Sequence, residues 1–184
     1  MATIKSIQLS NLTINSKNYR HDPTINQQAA IQAMVDDQKK QLVVLAKHIL
    51  KYGVNPSELL IVTPDPEKKG RYIVLEGNRR TTALKLLKNP DLIKDPKHKS
   101  IKNSFNNLKG QGTVPTVLAS VVFDDPKDAY EWIKVKHAGK QDGLGLDAWD
   151  SSQKARFQED ALGKISQGLQ VRRLMEQSNH ASSE

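Results

Sequence analysis

The feature that most constrains the fold of this 184-residue chain is a strand that leads through a single glycine into a helix. The run RYIVLE at 71–76 is β-rich, and Gly77 separates it from NRRTTALKLL, a helix-forming sequence. A second β-rich run, ELLIVT at 58–63, precedes it, and the turn-forming PDPEKKG lies between the two. Strands that neighbour each other and lead into a helix predict an α/β (α+β) fold, in which helices pack on a small mixed sheet.

Further short elements are predicted on both sides of this unit. The other expected strands are IKSIQL (4–9), LTI (12–14) and TVLASVVF (116–123). Helical periodicity runs from Ile25 to Tyr52, and the polar DDQKK at 36–40 is expected to split it into two helices. The helix after Gly77 should end before Asn89-Pro90. Residues 91–112, rich in proline, glycine, asparagine and lysine, predict a mobile or weakly helical connector.

The C-terminal part of the chain is predicted to be helical. Asp125 can cap a helix, Pro126 suits its first position and Gly139 should end it. Residues from Ala148 to about 177 are expected to be helical, with a disordered tail from about 178. We therefore expect a domain at 1–139 and a helical extension at 140–184, and the abrupt ending leaves open that a longer protein continues from it.

Composition favours a polyanionic partner. The chain has 28 Lys and Arg against 20 Asp and Glu, a formal net charge of +8, which points to nucleotide or nucleic acid. No run approaches the roughly 18 apolar residues of a membrane span, so we expect a cytoplasmic protein with no membrane partner. With no cysteine, disulfides, thiolate zinc sites and cysteine nucleophiles are excluded.

One stretch of the sequence concentrates positive charge. Its basic residues are Lys85, Lys88, Lys94, Lys97, His98, Lys99, Lys102 and Lys109. Such a run is usually a solvated face, but in a chain of this charge it can contact nucleic-acid phosphates without reading sequence.

The helix start after Gly77 has the chemistry of an anion site. Free backbone N–H groups and the helix dipole favour negative charge there, so Arg79 and Arg80 are each unfavourable by roughly 0.3 to 1 kcal/mol. A bound phosphate would offset this cost, with Gly77 admitting it and Thr81 or Thr82 adding a hydroxyl. Because successive helical residues are about 100° apart, we expect one arginine to grip the anion and the other to pair with a carboxylate such as Glu76.

The alternative is purely structural. The arginines can be solvated or salt-bridged, and Gly77 can simply form a tight turn. Neither G-x-x-x-x-G-K-[ST] nor G-x-G-x-x-G occurs in the chain, so a P-loop or Rossmann site has no support.

Three boxes in order resemble the ParB/sulfiredoxin-like superfamily, over residues 4–138. LEGNRRTTALKLL resembles the G-[ED]-R-R-x-x-A box, with matches at Gly77, Asn78, Arg79, Arg80 and Ala83. NYRHDP at 18–23 resembles the N-P-R stretch that opens ParB domains. ILKYGVNPSELLIV at 49–62 approximates the S-I-x-x-x-G-x-x-Q-P-x-x-V box, where Asn55 stands at the position before Q.

The resemblance implies a phosphate cradle for a nucleotide, CTP or ATP, with Mg²⁺. It places Gly77, Asn78, Arg79 and Arg80 at the phosphates, and Arg20 across the pocket near the γ-phosphate. Glu76 can hold the metal or act as a base, and pairing with an arginine is its alternative. His137 lies beside the expected ligand face, although it also suits a helix C-terminus. DNA association is also implied, and homodimerisation stays open.

Departures from the family pattern narrow the activity. Sulfiredoxin chemistry needs a cysteine, which this chain lacks. Partition clamps carry E-N-x-x-R, whereas the nearest match here begins Glu131-Trp132 and lacks both the asparagine and the arginine, which leaves hydrolysis open. We therefore expect a ParB-like domain that binds a nucleoside triphosphate in partition, regulation or defence. The alternatives are a non-enzymatic module that grips DNA backbone, a ParB-like nuclease, and a phosphotransferase.

Overall fold

A computed structural model of the chain describes residues 2–17, 24–137, 139, 143–146, 148–163 and 165–181, with the backbone alone at 169 and 176–181. The chain forms two compact units, Met1–Ile133 and Lys134–Glu184. The predicted boundary after residue 139 lies a few residues beyond the division between them.

A five-stranded mixed sheet forms the first unit. Its strands are β1 Thr3–Gln8, β2 Leu12–Ile14, β3 Leu60–Pro64, β4 Tyr72–Glu76 and β5 Val117–Val122, in the order β1-β5-β3-β4-β2. β1 pairs with β5 and β3 with β4 in antiparallel fashion, while β2 with β4 and β3 with β5 are parallel. The predicted α/β class is confirmed. β1 and β2 are neighbours in sequence but form opposite edges of the sheet.

Seven α-helices lie in the described part of the chain. They are α1 Gln27–Gln38, α2 Lys40–Tyr52, α3 Asn78–Lys88, α4 Lys99–Leu108, α5 Tyr130–His137, α6 Ser151–Leu162 and α7 Gln167–Ala181. The predicted split at 36–40 is confirmed, since Lys39 separates α1 from α2 with φ +48°. α3 ends at Lys88, as the following Asn89-Pro90 predicted. Among the described residues, none of the helices has the length and apolar character needed to cross a membrane.

The main core of the first unit lies between the sheet and helices α1 to α4. Val62 and Val74 from the central strands pack with Met34, Leu42 and Leu84 from the helices, and all five are almost fully buried. A smaller cluster holds Phe123, Ala129 and Ile133, against which Ile61, Leu75 and Val121 pack. Residues 61 and 75 alternate with 62 and 74 along their strands, so the two clusters lie on opposite faces of the sheet.

Residues 91–112, predicted to be a mobile or weakly helical connector, contain a helix that packs in the core, so the mobile alternative is wrong. Short 3-10 turns at Pro90–Leu92 and Pro96–His98 lead into α4, and Ile101, Phe105 and Leu108 of that helix are buried in the core. Their spacing of four and three residues is that of one helix face. The abundant lysines and asparagines that suggested a loop occupy the other faces of α4.

Candidate functional site

The glycine that begins α3 is required by the fold itself. Gly77 is the N-cap of the helix, with φ +97° in the left-handed region that favours glycine. A Cβ atom at this position would overlap the Leu60 side chain of β3. The presence of glycine at position 77 is therefore explained by the fold alone, because the backbone angle disfavours any other residue and the contact with Leu60 leaves no room for a side chain.

Asn78 follows and ties the start of the helix to the end of β2. Its side-chain Oδ1 accepts a hydrogen bond from the backbone N–H of Asn15 at 3.0 Å, and its Nδ2 donates to the Leu75 carbonyl at 3.3 Å. The residue is 4% exposed. Its amide group is thus engaged within the fold, and only its backbone N–H is left to contact a ligand.

The two arginines have different partners. Arg80 forms an ion pair with the Glu58 side chain and also donates to the Glu58 backbone carbonyl. Arg79 is exposed, and its guanidinium contacts Oε1 of the buried Gln38 at 3.4 Å, a long hydrogen bond. Among the described residues Arg79 forms no ion pair. The positive charge of Arg80 is therefore compensated by the Glu58 carboxylate. The positive charge of Arg79, in the first turn of the helix, has no carboxylate partner among the described residues.

The loop from α2 to β3 lies beside this helix end because Arg80 holds Glu58. In the same turn, Asn55 accepts hydrogen bonds from the Ser57 N–H at 3.1 Å and the Ser57 hydroxyl at 2.8 Å. The backbone N–H of Glu58 donates to the Asn55 carbonyl at 3.2 Å. Asn55 is exposed and shapes the turn that carries the partner of Arg80.

Neither threonine of the first two turns presents a hydroxyl to solvent. Thr81 and Thr82 are both fully buried. The Thr81 hydroxyl donates to the Gly77 carbonyl at 3.1 Å. The Thr82 hydroxyl has no hydrogen-bond partner among the described residues. In this structure the two side chains serve packing, and a ligand contact through either hydroxyl has no support from their positions.

The first turn of α3 is electrostatically suited to an anion. It contains no acidic residue, and the N–H groups of Asn78, Arg79 and Arg80 have no acceptor within the helix, whose first bond runs from the Thr81 N–H to the Gly77 carbonyl at 2.9 Å. Three donors and the charge of Arg79 therefore occupy one helix end.

Glu76 is the last residue of β4, half-buried and paired in register with Ile61 of β3. It directly precedes Gly77, as the metal or base hypothesis requires. Within the described ranges, no three His, Asp or Glu side chains come together as a metal-binding group. A metal at Glu76 and the nuclease alternative both stay predictions.

Two predicted site residues cannot be placed at this helix end. Arg20 lies outside the described residues, although its flanks Ser16 and Thr24 are joined by a backbone hydrogen bond of 2.8 Å. His137 is in the last turn of α5 with Lys134 and Lys136, where positive charge suits the helix dipole. It belongs to the second unit, whereas α3 belongs to the first. The roles of Arg20 and His137 therefore stay predictions.

Sequence reasoning missed three residues that surround the start of α3. Asn15, Gln38 and Glu58 come from the end of β2, the end of α1 and the loop before β3. They lie 63, 41 and 22 residues from their partners on α3. No local signal marks such residues, because only the folding of the sheet and helices brings them together.

The chain is similar to a solved structure of low sequence identity. No protein-family model matches the chain, and no curated protein matches it. The C-terminally truncated chromosome-partitioning protein ParB from Caulobacter crescentus, complexed with CTP-gamma-S, aligns with 91% of this chain and 68% of its own. The TM-score is 0.47 and the sequence identity is 14%. Similarity at this level assigns neither a family nor a ligand to this chain.

Proposed function

We propose that the N-terminal end of α3 binds the phosphates of a nucleoside triphosphate, with Arg79 as the gripping cation. The observation that carries the proposal is the contrast between the two arginines. Arg80 is compensated by Glu58, while Arg79 is exposed and forms no ion pair with the described residues. A lone cation at a helix N-terminus is unfavourable by roughly 0.3 to 1 kcal/mol, and a phosphate removes that cost through a charge-assisted hydrogen bond.

The backbone supplies the remaining donors. Asn78, Arg79 and Arg80 present N–H groups without intrahelical acceptors, and the Asn78 side chain does not compete for them because Asn15 and Leu75 engage it. Arg80 acts indirectly in this arrangement, by holding the Glu58 turn against the helix. The guanidinium of Arg79 can grip phosphate oxygens in fork geometry.

The choice of a nucleotide over a simple phosphate depends on the likeness to the ParB/sulfiredoxin-like boxes. By that likeness the ligand would be CTP or ATP with Mg²⁺, and Arg20 and Asn55 would join the binding residues. Glu76, at the end of β4 directly before Gly77, would hold the metal. Glu76 and His137 would serve the attacking water if the nucleotide is hydrolysed. The setting would be a DNA-associated process such as partition, regulation or defence.

Calorimetric titration with each of the four nucleoside triphosphates and Mg²⁺ tests the proposal. We expect the wild type to bind at least one of them saturably and Arg79→Ala to weaken that binding by about tenfold or more, since a charge-assisted hydrogen bond contributes roughly 1.5 to 3 kcal/mol. Arg71→Ala is the matched control, because Arg71 is an exposed arginine at the other end of β4 from Gly77. Absence of binding by the wild type, or equal losses in both variants, would contradict the proposal.

Hydrolysis is measured separately from binding. Release of inorganic phosphate by the wild type, retained affinity with loss of release in Glu76→Gln, and an unchanged Glu67→Gln control would support a catalytic role for Glu76. Glu67 is an exposed carboxylate in the turn between β3 and β4. If nucleotide binds but no phosphate is released, the domain is a nucleotide-binding module without hydrolytic activity.

A further inference from the structure

The basic stretch singled out from the sequence does not form a continuous charged face. Lys97 pairs with Asp36 and Asp95, and Lys102 pairs with Asp91. Lys85 is largely removed from solvent and donates to the Leu9 carbonyl at 3.2 Å, and this burial lowers the pKa of its ammonium group. Much of the positive charge between residues 85 and 109 is therefore neutralised or withdrawn from solvent.

Helix α2, in contrast, carries exposed lysines without ion-pair partners among the described residues. Its sequence KQLVVLAKHILKY contains three lysines and a histidine but no acidic residue. Lys40, Lys47 and Lys51 are exposed, and no described carboxylate forms an ion pair with any of them. A hydrogen bond with Tyr52 raises the pKa of Lys51, so this ammonium group stays charged near neutral pH.

The three lysines share one side of the helix. Lys47 and Lys51 are four residues apart and Lys40 precedes Lys47 by seven, so all three project toward the same face over about 16 Å. The exposed side chain of Val44 lies on this face as well, whereas Tyr52, also exposed, follows Lys51 by one residue and lies about 100° around the helix from it, beside the face. The opposite face is occupied, because Leu42, Ala46 and Ile49 are buried in the core.

We propose that this lysine face of α2, Lys40, Lys47 and Lys51, contacts the phosphate backbone of double-stranded DNA. Duplex DNA carries one negative charge per roughly 1.7 Å of axis, so a face of this length meets several phosphates at once. Insertion into a membrane does not fit, since the apolar side of α2 is already packed. Protein interfaces are depleted in lysine, which disfavours a protein partner.

The chemistry of the face predicts binding without sequence preference. Lysines act as flexible point charges, and the described part of α2 offers no arginine, asparagine or pair of amides suited to read base edges. A single exposed tyrosine beside His48, with ring centroids 4.9 Å apart, is a poor platform for consecutive unstacked bases. Duplex backbone is therefore the expected partner, and this surface is independent of the nucleotide proposal for α3.

Fluorescence anisotropy with a labelled duplex over a series of salt concentrations tests the proposal. The test variant combines Lys40→Gln, Lys47→Gln and Lys51→Gln, and the matched control combines Lys68→Gln, Lys69→Gln and Lys127→Gln. All three control lysines are exposed, lie outside α2 and form no ion pair with described residues, so the net charge falls equally. Thermal melting of both variants verifies that they are folded.

We expect the α2 variant to lose at least about tenfold in affinity at low salt and the slope of log K against log salt to shrink by about one per lysine, up to about three. The control should keep the wild-type slope. Equal losses in both variants would show that only net charge matters and would overturn the proposal, as would a wild type that does not bind duplex. Tighter binding of single strands that Tyr52→Ala abolishes would overturn it in favour of base stacking.

Discussion

The side-chain oxygen of Asn78 accepts a hydrogen bond of 3.0 Å from the backbone N–H of Asn15, across 63 residues of sequence. This bond joins the residue that follows the edge strand β2 to the first residue of α3. It orients the helix end at which Arg79 is exposed.

Asn78→Ala should destabilise the protein by about 1 to 3 kcal/mol. The substitution removes the side-chain partner of the Asn15 N–H and of the Leu75 carbonyl, which are partly buried, and polar groups left unpaired away from solvent carry a cost of this order. Urea denaturation gives the free energy of unfolding. Asn103→Ala is the control, because Asn103 is exposed in the middle of α4 and alanine has the higher helix propensity. A loss no larger than that of the control would contradict a supporting role for Asn78.

Gly77→Ala should cost more than Gly70→Ala. Both glycines have positive φ, +97° and +81°, so each substitution is unfavourable by about 1 to 2 kcal/mol in the left-handed region. A Cβ at Gly70 meets open space, whereas one at Gly77 overlaps Leu60, which adds about 1 to 3 kcal/mol. Thermal denaturation of the two variants measures the difference. Equal melting temperatures would show that Leu60 yields without cost.

Thr82→Val and Thr81→Val should shift stability in opposite directions. Valine replaces a hydroxyl that has no described partner at Thr82, so this variant is expected to be more stable by about 1 kcal/mol. At Thr81 the same change removes the bond to the Gly77 carbonyl and should cost about 1 kcal/mol. The two residues are equally buried and adjacent, so each is the control for the other. Stability changes of the same sign would contradict the conclusion that the Thr81 hydroxyl is hydrogen-bonded and the Thr82 hydroxyl is not.

Lys39→Gly should stabilise the junction between α1 and α2. Lys39 has φ +48° and ψ −125°, a backbone conformation that non-glycine residues adopt at a cost of roughly 1 to 3 kcal/mol. Glycine removes this strain but costs about 0.5 to 1 kcal/mol in chain entropy, so a net gain of about 1 kcal/mol is expected. Lys40→Gly, at the first position of α2, should be neutral or destabilising when both are unfolded in urea. A loss of stability in Lys39→Gly would argue against the strain.

Stability should fall in acid through Asp36. Partial burial tends to raise the pKa of this carboxyl, but hydrogen bonds from His98 and Lys97 outweigh it and hold the pKa below its ordinary 3.8. The stabilisation is therefore complete above 3.8 and is lost as the pH falls through the lower pKa of the folded state. Asp36→Asn should be less stable than wild type near neutral pH, with a difference that narrows in strong acid. Asp160→Asn, which removes one exposed carboxylate outside this ion-pair cluster, is the control for the change in net charge. Parallel pH profiles for wild type and Asp36→Asn would contradict the linkage.

All five strands of the described sheet were predictable, because runs such as ELLIVT and TVLASVVF carry β-branched residues between turn signals. The two ends of α3 were also predictable from local signals. Gly77 precedes its first residue, and Asn89-Pro90 follows its last residue. α4 was not, because its core contacts through Ile101 and Phe105 lie within a sequence dominated by lysine and asparagine. The polar composition of this segment predicted a connector, although its few apolar residues recur at helical spacing. Packing of those residues in the core is what stabilises so short a helix.

The sequence by itself determined the local conformations of the chain: the strand, the glycine, the helix and the two arginines in its first turn. Tertiary structure decided what those arginines do. Glu58 and Gln38 lie 22 and 41 residues from their partners, and only the order of the strands brings them to α3, where Arg80 is neutralised and Arg79 is left exposed. Local patterns follow from the preferences of neighbouring residues, whereas the pairing of distant charges follows from the packing of a sheet whose strand order no local preference specifies.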